Sequence, residues 1–288
     1  LVTGFNDVFV VIASVLLLMA VHWFGNTFAA WLGGAAAAAA AWGLAEVFVR
    51  RRRMALPAIV LLLAFELGTL EAVQDARGHW PGSLPAASLA ALAAAWLHWR
   101  RFRVPITVAA GAAAATGCAL GLLLWAWPGA GPVLPALAFA LGLGVFGMAM
   151  RWDATDLPRQ TRRSDVAFWL HLLAAPLLVH PVFVALDVFG RTPTLSQALL
   201  VLLLYLAIAL VSLAVDRRAL MVSALGYVLY TFTALLQDTG ALSASFAVTA
   251  LVIGGGLLLL SAAWHRCRAL TLQRLPPGLL ARLPPLGG

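Results

Sequence analysis

"EVFVRRRRMALPAIVLLLAFELGTLEAV", residues 46–73, shows the fold in miniature: an apolar segment ends in four consecutive arginines, and a second apolar run follows at once. About twenty residues at ~1.5 Å each cover the roughly 30 Å of hydrocarbon in a bilayer, and the run from Met54 to Val73 has that length. Arginines gathered between two such runs mark a turn at a membrane surface. The rest of the chain repeats the pattern. Of its 288 residues 63% are hydrophobic and 10% charged, where a soluble domain carries about a quarter charged. The class this predicts is all-α, a polytopic bundle of transmembrane helices.

Working outward gives ten spans, at 5–24, 28–49, 54–73, 84–99, 104–127, 132–150, 165–187, 195–215, 219–236 and 244–264. The fourth is short and the second contains seven consecutive alanines at 35–41, so both are expected among other helices. Seventeen of the 19 basic residues, all arginine, follow every second span, whereas Arg77 and Arg191 alone occupy the intervening loops. That asymmetry predicts cytoplasmic clusters, with both termini on the same side of a bacterial inner membrane. The net charge of +8 therefore reports topology; short arginine clusters between apolar runs exclude nucleic acid as the partner. Residues 1–268 are expected to form the transmembrane domain, as five hairpins or as two inverted halves of five spans. Residues 269–288 read as a tail along the inner membrane surface. The first apolar run lacks a preceding basic segment and is too long for a signal-peptide core, so it reads as a retained span, and a segment before Leu1 is left open.

The stretch "RRSDVAFWLHLLAAPLLVHP" and the ending "WHRCRALTLQRLPPGLLARLPP" resemble segments of uncharacterised multipass inner-membrane proteins of high-GC proteobacteria, a resemblance that implies no activity. In length, span number and orientation the chain is similar to the drug/metabolite transporter superfamily. That similarity is one of topology and assigns no residue.

Ionisable groups inside spans carry the functional information, because a charge at mid-bilayer costs about 2.5–3.5 kcal/mol even on lenient scales. Glu66 lies twelve residues beyond Met54 among Leu, Phe and Gly, where it needs a partner or a proton; Glu71 lies nearer the outer surface. The seventh span adds His171 and His180, which nine residues of helix place on opposite faces. His180 and Asp187, seven apart, would share a face. With Glu66 and His22 they are expected to line a polar site in the outer half of the bundle, as relay or binding groups. Pro176 and Pro181 each remove a backbone donor, predicting a kink or break around 172–181. Tyr227, Tyr230, Thr231 and Thr233 make a polar stripe on the ninth span, ending at Gln237 and Asp238.

Other signals are discounted. "GLGVFG" at 142–147 matches a dinucleotide-binding pattern but sits inside a span, where close helix packing explains glycines, as it does for Gly117, Gly121 and Gly254 to Gly256. The 151–165 segment mixes three aspartates with four arginines and reads as a solvated connector, or as the docking point of a protein partner. Glu46 and Arg50 are spaced for an ion pair. Cys118 and Cys267 suggest no disulfide framework, and no metal cluster, cofactor motif or recognisable nucleophile occurs. Three functions remain open: a proton-coupled transporter of a small solute, an accessory protein that scaffolds a complex, and a lipid-modifying enzyme using His171.

Overall fold

A computed structural model describes residues 5–78, 82–187, 194–238, 245–274, 276–280 and 283. The described residues are helical and contain no strand: α1 (Phe5–Asn26), α2 (Ala30–Ala45), α3 (Ala55–Arg77), α4 (Ser83–Phe102), α5 (Ile106–Ala126), α6 (Leu134–Ala154), α7 (Arg162–Ala185), α8 (Leu195–Val215), α9 (Ala219–Asp238), α10 (Ser245–Ala262), α11 (Trp264–Leu272) and α12 (Pro277–Leu280). Helix dominates because only a helix satisfies its own backbone groups in lipid without a partner strand. Among the described residues seven segments are long and apolar enough to cross a membrane: α1, α2 with the π-helical turn Glu46–Arg51, α3, α5, α6 with the 3-10 turn before it, α7 and α8. These are the helices of an integral membrane protein. The expected fourth, ninth and tenth spans are present as α4, α9 and α10, but α4 is not among the seven and the apolar parts of α9 and α10 are shorter.

The chain forms two compact units, Leu1–Leu134 and Pro135–Gly288, so α1 to α5 lie in the first and α6 to α12 in the second. Within the first unit each helix packs on the next, and the alanine run has a clear use. Gly33, Gly34, Ala37, Ala38, Ala41 and Ala45 form the buried face of α2. A Cβ on Gly34 would stand 2.6 Å from the Gly68 carbonyl, and one on Gly68 would meet Gly34 equally closely. Small side chains let the two backbones touch, which is how helices associate where the lipid offers no hydrophobic drive. The same device joins α5 to α4, where Gly117 faces Ser88 and Gly121 faces Pro85. Arg53 and Arg103, fifty residues apart, both adopt left-handed backbone (φ 55° and 54°) as they lead into α3 and α5. The arginine turns of these two hairpins are thus alike in backbone as well as in charge.

In the second unit the core is built by α7, α8, α9 and α11 around Phe183, Val201, Leu213, Met221, Val228 and Trp264. Of the kink or break expected around 172–181 the break is absent, and residue 268, the expected end of the transmembrane domain, lies within a helix. Helix α7 is unbroken from Arg162 to Ala185, with Pro176 and Pro181 inside it. Packing maintains the helix: Ala174, Ala175, Val179, Pro181 and Phe183 are all buried. The Leu177 carbonyl, which Pro181 deprives of its donor, lies at a close approach of α6, where Gly142 has room for no Cβ. The domain boundary at 268 falls inside α11, because Trp264, Arg268 and Leu272 make one buried stripe at helical spacing. The tail therefore begins as packed helix.

Candidate functional site

The polar groups of the first unit occupy three levels. At the arginine-rich end, Asp7 of α1 accepts from the backbone N–H of Ala55 and Leu56 (3.2 and 3.4 Å) and so caps α3 from outside. A carboxylate at a helix N-terminus also meets the positive end of its dipole. Glu46 forms the expected pair with Arg50 (3.2 Å), and Arg101 of α4 adds a two-pronged contact at 2.6 and 2.9 Å that ties α2 to α4. At the opposite end, His22 donates to Glu71 at 2.8 Å and joins α1 to α3; both side chains are about a third exposed (32% and 40%). Two of the sequence-derived candidates thus form one pair.

Between these levels lies Glu66, the middle residue of α3 and 7% exposed. Both its carboxyl oxygens are buried, and neither has a hydrogen-bond partner among the described residues. It continues the buried line of Ala58 and Leu62, so the surface that carries the carboxyl is otherwise apolar. The same unit holds a group that sequence reasoning passed over. His98, buried against Trp42, Phe65 and Phe102, shares a hydrogen bond of 3.1 Å with Thr107 of α5. In the sequence it stands two residues before Arg100 and Arg101, with no spacing signal that points to burial.

The second unit contains a polar network that is almost wholly enclosed. Asp153, in the last turn of α6 and 2% exposed, receives His171 Nε2 of α7 at 2.9 Å. Arg217, in the turn between α8 and α9, donates from Nε and Nη2 to the two oxygens of the same carboxylate. Its Nη2 also reaches the Ser164 carbonyl and hydroxyl, both at 3.2 Å. The Ser212 hydroxyl closes the turn by donating to the Arg217 carbonyl. One carboxylate therefore gathers α6, α7 and the α8–α9 connection. Beside it Asp216, in left-handed conformation (φ 57°), accepts from Arg159 and from the Trp264 indole, each at 2.7 Å. Arg268 approaches the same carboxylate at 3.8 Å, and Arg218 lies over the Trp264 ring at 4.5 Å.

The 151–165 segment is accordingly less of a solvated connector than its composition implied. Asp153, Asp156 and Ser164 are buried. Asp156 accepts from the Thr161 hydroxyl (2.7 Å) and from the N–H groups of Thr161 and Gln160; these bonds, the hydroxyl foremost, hold its carboxyl below the usual aspartate range. A sequence signal for this existed. Acids are interleaved with the arginines at 151–165 and at 216–218, whereas residues 50–53 and 100–103 contain none.

The other candidates separate. His180 Nδ1 and the Tyr227 hydroxyl are 2.8 Å apart, bridging α7 to α9, and Phe183 stacks on the Tyr227 ring. Tyr230 is exposed, and Thr231 bonds back to the Tyr227 carbonyl of its own helix. Asp187 does not share a helical face with His180: α7 ends at Ala185 and Asp187 has φ 51°. A shared face needs a helix two residues longer than the one formed. Gln237 and Asp238 lie outside the residues whose side chains are described, as Arg191 lies outside the described residues. Of the three glycines in "GLGVFG" only Gly142 is a close-packing position; nothing lies within 4 Å of a Cβ at Gly144 or Gly147. Gly254, Gly255 and Gly256 are equally open. Among the described residues no three His, Cys, Asp or Glu side chains are grouped to hold a metal ion. Comparison with known protein families, curated proteins and solved structures finds no match.

Proposed function

We propose that the protein is a proton-coupled carrier of a small solute, with Glu66 as the group that takes up and releases the proton. The observation behind this reading is the Glu66 carboxyl itself, central in a membrane-spanning helix and without a partner among the described residues. A buried acid kept for structure is expected to be hydrogen-bonded, as Asp153 is. An acid without such bonds costs stability in every state, and intramembrane carboxyls of this kind mark proton and solute paths. The ten-span arrangement in a bacterial inner membrane, with arginine clusters and both termini cytoplasmic, belongs to the same proposal.

His171, the acid–base group of the lipid-modifying reading, is 0% exposed with its Nε2 engaged by Asp153, which favours the carrier reading over it. The carrier reading is tested in sealed vesicles containing the purified chain and an internal pH dye. A library of small solutes added outside is expected to include one that moves protons inward, and Glu66→Gln to abolish that movement while the protein stays folded. Proton movement undiminished in Glu66→Gln would overturn the assignment.

A further inference from the structure

On α6, the open glycines line a groove of about 710 Å³ together with Met148, Arg151, Trp152, Thr155 and, from the first turn of α7, Arg163. Gly144, Gly147 and Arg151 recur at helical spacing and so lie along one side of α6, with Thr155 in the turn just past its end. Arg151 stands near the end of one membrane-crossing segment and Arg163 at the start of the next, which puts both at the same bilayer surface. Gly144, seven residues before Arg151, lies roughly 10 Å deeper. The groove therefore has a cationic mouth at the surface and a bare trough leading into the hydrocarbon.

The allocation of charge nearby sharpens this. Asp153 is occupied by His171 and Arg217, Asp156 by the turn that follows it, and Asp216 by Arg159 and Trp264. No acidic side chain lines the groove, and no ion pair of Arg151 or Arg163 occurs among the described residues. Both arginines are exposed. The arginines nearest the buried acids are thus spent within the fold, while the two at the mouth are left to bind a phosphate.

We propose that this groove binds an anionic phospholipid, its phosphate held by Arg151 and Arg163 with Thr155 and Trp152 beside it, and one acyl chain lying over Gly144 and Gly147. A zwitterionic lipid carries a compensating cation that two arginines repel, and a free anion leaves the trough empty. The trough selects a lipid and the mouth selects its charge.

The test uses the full chain in detergent, stripped of lipid and titrated with phosphatidylglycerol or with phosphatidylcholine of the same acyl chains, bound lipid being counted by native mass spectrometry. Phosphatidylglycerol is expected to bind selectively. The double variant Arg151→Gln, Arg163→Gln is expected to weaken it about 30-fold, from roughly fivefold per arginine, and to leave phosphatidylcholine unchanged. Gly147→Leu, which fills the trough without altering charge, is expected to weaken both lipids and serves if the glutamine pair fails to fold. Millimolar inorganic phosphate should displace neither. Equal binding of the two lipids, indifference to both variants, or displacement by inorganic phosphate would each overturn the proposal.

Discussion

Glu66 and Asp153 are both buried acids in apolar helices, 7% and 2% exposed, yet their surroundings are opposite. Asp153 receives a histidine and two nitrogens of an arginine, and through them it fastens three elements of the second unit. Glu66 has no hydrogen-bond partner among the described residues and fastens nothing. Burial is shared, so the number of partners separates a structural acid from a functional candidate. A satisfied network rigidifies a core, whereas an unsatisfied polar group is a standing cost.

Removing each acid should then have effects of opposite sign. Asp153→Ala leaves His171 Nε2 without its acceptor and the buried Arg217 charge without its carboxylate, and is expected to destabilise the protein by about 3–5 kcal/mol, read as a lowered midpoint of thermal unfolding in detergent. Glu66→Leu removes an unpartnered group from an apolar site and is expected to stabilise by about 1–3 kcal/mol in the same measurement. A Glu66→Leu protein as unstable as Asp153→Ala would break the comparison and show that Glu66 is structural.

The comparison was only half legible in the sequence. Glu66 stood out because a carboxyl twelve residues into an apolar run has no local explanation. Asp153 did not, because beside Arg151 and near Arg159 it looked like one charge of a solvated loop. Its partners, His171 and Arg217, are 18 and 64 residues away and no spacing rule connects them. His22 was picked out for its depth and Glu71 as an acid nearer the outer surface, but that they meet is a fact of how α1 lies on α3.

Two smaller effects sharpen the same contrast between enclosed and open groups. The His22–Glu71 pair is a third exposed, so Glu71→Gln is expected to cost no more than about 1 kcal/mol, measured by the same unfolding midpoint. Asp156 has a folded-state pKa lowered by the Thr161 hydroxyl and neighbouring N–H groups. Its contribution to stability is thus complete above the ordinary aspartate value of 3.8 and is lost as pH falls through the lower folded value. Hydrogen exchange of the Gln160 and Thr161 amides, which the carboxylate accepts, should stay slow at pH 5 and quicken only below about pH 4 once intrinsic rates are divided out. In Thr161→Val, which lacks the largest cause of the shift, the quickening should begin at higher pH.

Some features of this protein belong to the sequence alone. Apolar runs of bilayer length, arginines at every second turn and small residues along α2 and α5 establish helices, their approximate ends and their membrane character, because hydrogen bonding within a helix and transfer into lipid are local properties. The continuity of α7 through two prolines was decided by its packed flank. The early end of that helix at Ala185 detached Asp187 from His180. Which acids are paired, which arginines remain at the α6 groove and which glycines are open were likewise settled by tertiary structure. Hydrogen bonds between helices depend on where distant segments come to rest, and one-dimensional spacing does not contain that information.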